Sequence, residues 1–152
     1  MKQYKINKGH FFICKVLETA YIDGLAKKVN NTYVVEADTW GEAEQRLQKH
    51  IADMSVDGIM DCDITDITLA KFNEIYSVEG TTEEQWFNVK LDFITIDERT
   101  QKEKRSAQFY LYNAGSFDEA SRMVNEVMSQ SLVDYDKAEI KAAKITDVIY
   151  NE

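Results

Sequence analysis

The chain contains the stretch YVVEADTWGEAEQRL at residues 33–47 and a similar one, YLYNAGSFDEASRMV, 77 positions later at residues 110–124. Each begins with a β-rich apolar run and continues into a capping box, Thr39 to Glu42 in the first and Ser116 to Glu119 in the second. Apolar residues then recur at helical spacing. Both stretches therefore predict a strand followed by a helix.

Upstream of each stretch lies a run with the alternating pattern of a half-buried strand, FICKVLETAYID at 12–23 and WFNVKLDFITID at 86–97. Asp23-Gly24 then favours a tight hairpin turn, and a longer polar loop takes its place in the second half. The sequence therefore predicts two hairpins, whose second strands cover 27–36 and 104–113.

Downstream, ITLAKFNEI at 67–75 resembles IKAAKITDV at 140–148, so a third strand is predicted around 65–76 and 139–150. We place each third strand beside the first strand and antiparallel to it, in the order 2-1-3, with a right-handed helical crossover. The predicted fold is α+β, a tandem pseudo-symmetric repeat of two ββαβ units with a mainly antiparallel sheet and one packed helix per unit. The repeats, 12–76 and 86–150, would be joined by 77–85 and form a single compact domain over 1–152.

Composition limits the classes of function. The chain has 152 residues, 44% of them hydrophobic, and no proline, which fits one globular domain and excludes Pro-rich linkers. Its 18 Lys and Arg against 27 Asp and Glu argue against nucleic acid as the main partner, because duplex binding depends on cations that neutralise phosphates. Residues 1–11 carry three lysines and no acid, and we interpret this short basic arm as a frayed N-terminus.

Targeting and cofactor signals are missing from the sequence. Cys14 and Cys62 are too few for a disulfide framework or a zinc site. Neither a signal segment nor a membrane-spanning run is found, so we expect a cytoplasmic monomer or homodimer without membrane contact. None of the six glycines falls in a phosphate-binding loop, and no cofactor is predicted.

The acidic stretch of residues 53–66 is a candidate metal site, since Ca²⁺ takes several carboxylate ligands. It contains five aspartates and no cation: Asp53, Asp57, Asp61, Asp63 and Asp66. The match to an EF-hand loop fails at Asp66, where glycine is required, and at Phe72, where a bidentate Glu is required. We therefore favour a solvated loop over a metal site.

The best binding candidate is a pair of basic spots at the start of the two second strands. With nearby tyrosines they can hold a small anionic or nucleotide-like ligand. The predicted ligand-binding residues are Lys27, Lys28, Tyr33, Lys104, Arg105 and Tyr110. The alternative is that these charges only flank hairpins and protect edge strands. The equivalent aromatics Trp40 and Phe117, and likewise Phe12 and Trp86, are expected to be core residues.

Several motifs together resemble an uncharacterised family, the domain of unknown function family four-four-nine-four, found in Bacteroidetes and their phages. They are W-F-N-V-K at 86–90, F-I-T-I-D-E at 93–98, K-E-K-R at 102–105, A-x-[ST]-[FW]-x-E-A at each helix start and A-K-[FI]-x-[ED]-[IV] near each third strand. The likeness covers about 12–150. It implies a small bacterial or phage protein and supplies no catalytic residues.

Two hypotheses of function follow. The first is a non-enzymatic binding module for a protein partner or a small anionic ligand, for which the family's occurrence suggests phage–host interaction or counter-defence. The alternative is a small metal-dependent hydrolase that uses the carboxylates of residues 53–66. Mimicry of DNA by the acidic surface ranks below both, because the charge is moderate and mixed.

Overall fold

Long hairpins and two helices make up most of the residues that this computed structural model describes, 3–54 and 62–151. In chain order the elements are β1 (Tyr4–Lys8), β2 (Phe11–Ile22), β3 (Leu25–Glu36), α1 (Trp40–Met54), β4 (Cys62–Leu69), β5 (Glu74–Val78), β6 (Gln85–Ile96), β7 (Glu103–Ala114), α2 (Phe117–Met128), β8 (Asp134–Ala143) and β9 (Asp147–Ile149). The fold is α+β with two mixed sheets in which antiparallel pairs predominate.

The chain divides into two compact units, each built from discontinuous segments. Unit 1 comprises Met1–Lys8 and Lys71–Lys144, and unit 2 comprises Gly9–Ala70 and Ile145–Glu152. Each unit contains one sheet and one helix. The chain therefore passes from one unit to the other three times.

Unit 2 contains a four-stranded sheet in the order β4-β2-β3-β9. Strands β2 and β3 form a hairpin whose turn residues Asp23 and Gly24 both have positive φ, as the sequence predicts. β4 lies antiparallel to β2, and β9 runs parallel to β3 at the edge. Helix α1 buries Ala43 and Leu47 in a core with apolar residues of β2, β3 and β4: Phe12, Cys14, Val16, Tyr33, Val35 and Ile67.

Unit 1 contains a five-stranded sheet in the order β1-β5-β7-β6-β8. β6 and β7 form the hairpin, β8 lies antiparallel to β6, and β5 runs parallel to β7. Helix α2 buries Ala120, Met123 and Val124 against this sheet. The sheet contributes Tyr76, Phe87, Val89, Leu91, Tyr112 and Ala114 to the core.

Both predicted capping boxes are present, but in each of them the glutamate bonds a different amide from the predicted one. The hydroxyls of Thr39 and Ser116 accept hydrogen bonds from the amides of Glu42 and Glu119, at 3.2 and 3.1 Å. The glutamates reach back past the capping residue to the amide before it, Asp38 in α1 and Gly115 in α2. One more backbone donor is thereby satisfied at each helix start.

The predicted third strands are each two strands that belong to different units. Instead of one strand over 65–76, β4 ends at Leu69 in unit 2 and β5 begins at Glu74 in unit 1. The predicted strand over 139–150 divides in the same way into β8 and β9. The predicted linker 77–85 overlaps the end of β5. No proline or glycine interrupts these runs, so the sequence has no local signal for the break.

The prediction of a frayed N-terminal arm is wrong, because residues 4–8 form β1. This strand pairs antiparallel with β5, from Tyr4 opposite Val78 to Lys8 opposite Glu74. The Lys8 ammonium also lies 3.6 Å from the Glu74 carboxylate. A free strand edge supplies backbone partners to any extended segment that reaches it, and here β1 is that segment.

The prediction that four repeated aromatics are core residues is correct for two of them. Phe12 and Trp86 are each 7% exposed, whereas Trp40 is 51% and Phe117 is 53% exposed. Trp40 and Phe117 are the first residues of their helices. The Trp40 indole N–H donates to the Ile67 carbonyl at 3.1 Å, which satisfies its polar end.

Candidate functional site

The structure places the first predicted basic spot and its tyrosine on β3 of unit 2. Lys27 and Lys28 are exposed, and neither makes an ion pair with the rest of the described chain. Tyr33 is only 5% exposed and belongs to the core. Its hydroxyl donates to the Glu18 carboxylate at 2.8 Å, and burial, followed by this hydrogen bond, raises its pKa. On this strand the lysines, but not the tyrosine, are accessible to a ligand.

The second predicted basic spot lies on β7 of unit 1. The Arg105 guanidinium contacts three carboxylates: Asp136 at 2.8 Å, Glu103 at 3.7 Å and Asp92 at 3.9 Å. The hydrogen bond to Asp136 is the main cause that raises the pKa of Arg105. Lys104 beside it is exposed. The charge of Arg105 is thus already balanced within its own unit.

Tyr110, the remaining predicted ligand residue, is half-buried on β7. Its ring meets those of Tyr76 and Tyr112 edge-on, at centroid distances of 5.7 and 6.5 Å. Burial, with the Glu74 carboxylate as a second cause, raises the pKa of Tyr110. The ring therefore forms part of an aromatic cluster that closes one side of the unit 1 core.

The acidic stretch is only partly within the described residues. Asp53 lies near the end of α1, and Asp63 and Asp66 lie on β4, whereas Asp57 and Asp61 fall in the segment that is not described. Across residues 3–54 and 62–151, no three His, Cys, Asp or Glu side chains gather closely enough to hold a metal ion.

No sequence pattern marks one carboxylate of unit 2 as buried. Glu18 is 6% exposed and accepts hydrogen bonds from the Tyr33 hydroxyl and the Asn31 amide. The Asn31 carbonyl in turn accepts from the Thr146 hydroxyl at 3.1 Å. The Thr146 amide donates to the Thr32 carbonyl at 2.7 Å. These contacts hold the start of β9 against β3, so the position of β9 is fixed by polar as well as apolar contacts.

A groove lies between helix α1 and strand β9 in unit 2, and we refer to it as the α1–β9 groove. It encloses about 490 Å³. Its lining residues come from the last turns of the helix and from the strand and the residues after it: Arg46, Lys49, His50, Asp53, Val148, Ile149, Tyr150 and Asn151. Burial is the main cause that raises the pKa of Tyr150 to about 12, so this hydroxyl stays protonated at neutral pH.

Three polar residues of the α1–β9 groove differ in whether they already have partners. Arg46 donates to the Glu36 carbonyl and lies 3.6 Å from the Glu42 carboxylate. His50 lies 3.6 Å from the Asp147 carboxylate and meets the Tyr33 ring edge-on. Lys49 is exposed and has no ion pair among the described residues. Lys49 is therefore the cation of this groove that is available to a ligand.

Unit 1 contains a groove between α2 and β1, the strand that pairs with the edge of β5. It encloses about 370 Å³ and is lined by Gln3, Tyr4, Ile6, Glu79, Glu126, Val127 and Gln130. The Tyr4 hydroxyl donates to the Glu126 carboxylate. Burial, followed by this hydrogen bond, raises the pKa of Tyr4 to about 12. In unit 1 the edge of β5 is thus covered by a strand whose side chains contact the helix.

The edge of β9 differs from that of β5. In the part of the chain that the structure describes, β9 pairs with β3 on one side and no strand pairs with its other side. The sequence held one signal of this difference. In the match between 33–47 and 110–124, continued along the helices, Lys49 aligns with Glu126 and His50 with Val127.

Comparison with known proteins agrees with the resemblance noted in the sequence. The family model described as Domain of unknown function (DUF4494) matches residues 10–151, a range that excludes β1. No curated protein and no solved structure matches the chain. Neither helix in the described part of the chain has the length and apolar character needed to cross a membrane. Because the family model covers more than half of the sequence, the chain belongs to the family Domain of unknown function (DUF4494).

Proposed function

We propose that the protein is a non-enzymatic binding module that captures an extended segment of a protein partner and adds it as a strand to the edge of β9. The observation that carries this proposal is the edge of β9 beside the α1–β9 groove, with which no strand within residues 3–54 and 62–151 pairs. Strand addition uses main-chain hydrogen bonds for affinity and side-chain pockets for specificity. The edge of β9 offers main-chain groups for the first, and the α1–β9 groove offers a pocket for the second.

The proposal includes a tandem repeat of two ββαβ units, each completed by a strand that follows the other repeat in the chain. Its support is the common order of the two sheets, β4-β2-β3-β9 and β8-β6-β7-β5. β9 lies parallel to β3 as β5 lies parallel to β7, with Val148 opposite Val34 and Ile75 opposite Leu111. β5 and β9 then hold equivalent places, and β1 serves as an internal example of a docked strand.

The backbone of β9 supports the proposal. The Ala37 amide donates to the His10 carbonyl, so alternate residues of β3 bond to β2 and Val34 directs its backbone groups to β9. In the register of β3 and β9, the amides of Asp147 and Ile149 therefore point towards β3, and the Val148 amide points away from it. The Val148 amide donates to the Asp147 carboxylate at 2.8 Å, a contact that an incoming strand can replace.

Binding to the edge of β9 is the first expected result. Peptides selected from a random library of extended heptamers should slow hydrogen exchange of the Val148 amide, because this amide points away from β3 and becomes bonded to the peptide. Mass spectrometry of the C-terminal fragment measures this protection. The hairpin residues around Lys27 serve as the internal control, since their exchange should not change.

Peptide chemistry supplies a further control of the same proposal. N-methylation of alternate peptide amides should abolish binding when it affects the amides that face β9 and should leave binding intact in the other set. If no library peptide protects β9, or if both methylated sets bind equally, strand addition is not the function of this edge.

A small anionic ligand is the second candidate, and the exposure of Lys27 and Lys28, which have no carboxylate partner among the residues that the structure describes, supports it. We expect tripolyphosphate to bind at low salt and to lose at least about fivefold in affinity when Lys27→Ala and Lys28→Ala are combined, because each charge-assisted contact is worth roughly 1 kcal/mol or more. The double variant Lys104→Ala with Arg105→Ala is the comparison. Calorimetric titration that finds equal affinity in wild type and both variants would contradict this candidate.

A further inference from the structure

We infer that the strand captured by β9 runs antiparallel to it and carries an acidic, an apolar and a basic side chain at alternate positions, opposite Asn151, Ile149 and Asp147. This inference rests on the proposed function, because it assigns the sequence pattern of the partner segment. It follows from the places of Lys49 and Ile149, which line the α1–β9 groove, and of Asp147, which contacts a residue of the groove wall.

The register of β1 on β5 supplies the template. Tyr4 lies opposite Val78, Ile6 opposite Tyr76 and Lys8 opposite Glu74. Tyr4 and Ile6 line the groove beside α2, so the even-numbered side chains of β1 face the helix. A strand docked on β9 in this register also directs alternate side chains towards its helix.

The equivalent positions follow from the sequence match. The alignment of 67–75 with 140–148 pairs Glu74 with Asp147, and its continuation pairs Tyr76 with Ile149 and Val78 with Asn151. The side chains that contact Val78, Tyr76 and Glu74 in unit 1 therefore have counterparts that face Asn151, Ile149 and Asp147.

The acidic position of the partner segment follows from a residue that is acidic on α2 and basic on α1. In unit 1 the docked strand offers the Tyr4 hydroxyl, a donor, to the Glu126 carboxylate. In unit 2 the equivalent helix residue is Lys49, which only donates. A carboxylate on the incoming strand satisfies Lys49, whereas a tyrosine hydroxyl makes the weaker bond to an ammonium.

The basic position of the partner segment follows from an acidic residue that β5 and β9 carry at equivalent places. Glu74 pairs with Lys8 at 3.6 Å in unit 1, and Asp147 is its acidic counterpart in unit 2. The side chain of Asp147 is half exposed and has His50 on its helix side. A lysine or arginine on the incoming strand can therefore approach Asp147 from the open side, and Coulomb attraction favours it.

The middle position is apolar in both units. Ile6 lies opposite Tyr76 and lines the unit 1 groove, and Ile149 packs against the unit 2 core. An aliphatic side chain opposite Ile149 removes apolar surface of both residues from water. The pattern of the partner segment is thus acidic, any residue, apolar, any residue, basic.

The test compares two capped peptides in calorimetric titrations of the full chain. One has the sequence of residues 3–8, and the other has the same sequence with Tyr4→Glu. We expect wild-type protein to bind the Tyr4→Glu peptide at least about tenfold more tightly, because a charge-assisted bond adds roughly 1.4 kcal/mol or more. Lys49→Glu makes the helix resemble α2, and this variant should prefer the unmodified peptide.

Lys49→Ala is the matched control, since it should lose the preference for either peptide without favouring one of them. A Lys49→Glu variant that keeps the wild-type preference overturns the inferred pattern. So does failure of both peptides to bind at millimolar concentration while library peptides still protect β9. The absence of any library binder overturns the proposed function instead, so the two failures are distinguishable.

Discussion

Deletion of residues 1–8 is expected to lower the free energy of unfolding of unit 1 by about 2–4 kcal/mol, from lost hydrogen bonds at about 0.5–1.5 kcal/mol each and lost apolar contacts. The deletion removes β1 from the edge of β5 and Tyr4 from the margin of the core. It also removes the ion pair between Lys8 and Glu74. Urea unfolding followed by tyrosine and tryptophan fluorescence measures the loss.

Rescue by the missing segment makes this prediction specific. A peptide of residues 1–8 added to the deleted protein should restore stability, by about 2.7 kcal/mol when its concentration is a hundred times its dissociation constant. A scrambled peptide of the same composition is the control. Unchanged stability after deletion, or equal rescue by the scrambled peptide, would contradict the account of β1 as a docked strand.

Leu47→Ala is expected to lower the free energy of unfolding by about 2–5 kcal/mol, the usual cost of a cavity in a well-packed core. Leu47 is a fully buried residue of α1 that packs among residues of β2 and β3. The same substitution should weaken peptide binding to β9, because α1 carries Lys49 and forms one wall of the groove. Denaturant unfolding and peptide titration measure the two effects.

Met54→Ala is the matched control for Leu47→Ala. Met54 lies in the same helix but is 61% exposed, so its loss should cost less than about 1 kcal/mol. Equal loss of stability in both variants would contradict the role of Leu47 in packing α1 against the sheet.

The hairpins and helices were predictable because their signals are local. Alternating apolar residues, the Asp23-Gly24 turn and the two capping boxes each act within a few residues, and all appear at the expected places. The neighbouring strands β3-β2-β4 and β7-β6-β8 also have the predicted order 2-1-3. These features depend on short-range physics that composition and periodicity reveal.

The strands that complete the sheets were not predictable in the same way. A short strand such as β5 or β9 finds partners at any free edge, and no residue near Lys71 or Lys144 announces a change of unit. β1 did carry a signal, since Ile6 follows Tyr4 at the spacing of one strand face, but a basic arm at a terminus favours disorder.

Only part of the candidate site was predictable from the sequence. The exposed lysines of the hairpin stood out because charges cluster visibly in a sequence. The α1–β9 groove did not, because its cation and its carboxylate are nearly a hundred residues apart in the chain, Lys49 on α1 and Asp147 on β9. Their proximity depends on a parallel pairing that only the folded chain displays.

The discontinuity of the units has a consequence for biosynthesis. A ribosome delivers β2, β3 and α1 early, yet β3 receives its neighbour β9 only after all of unit 1 has been synthesised. During that interval the edge of β3 that later pairs with β9 is exposed in the nascent chain. We therefore expect truncation before Ile145 to yield a product that chaperones retain and that aggregates on release.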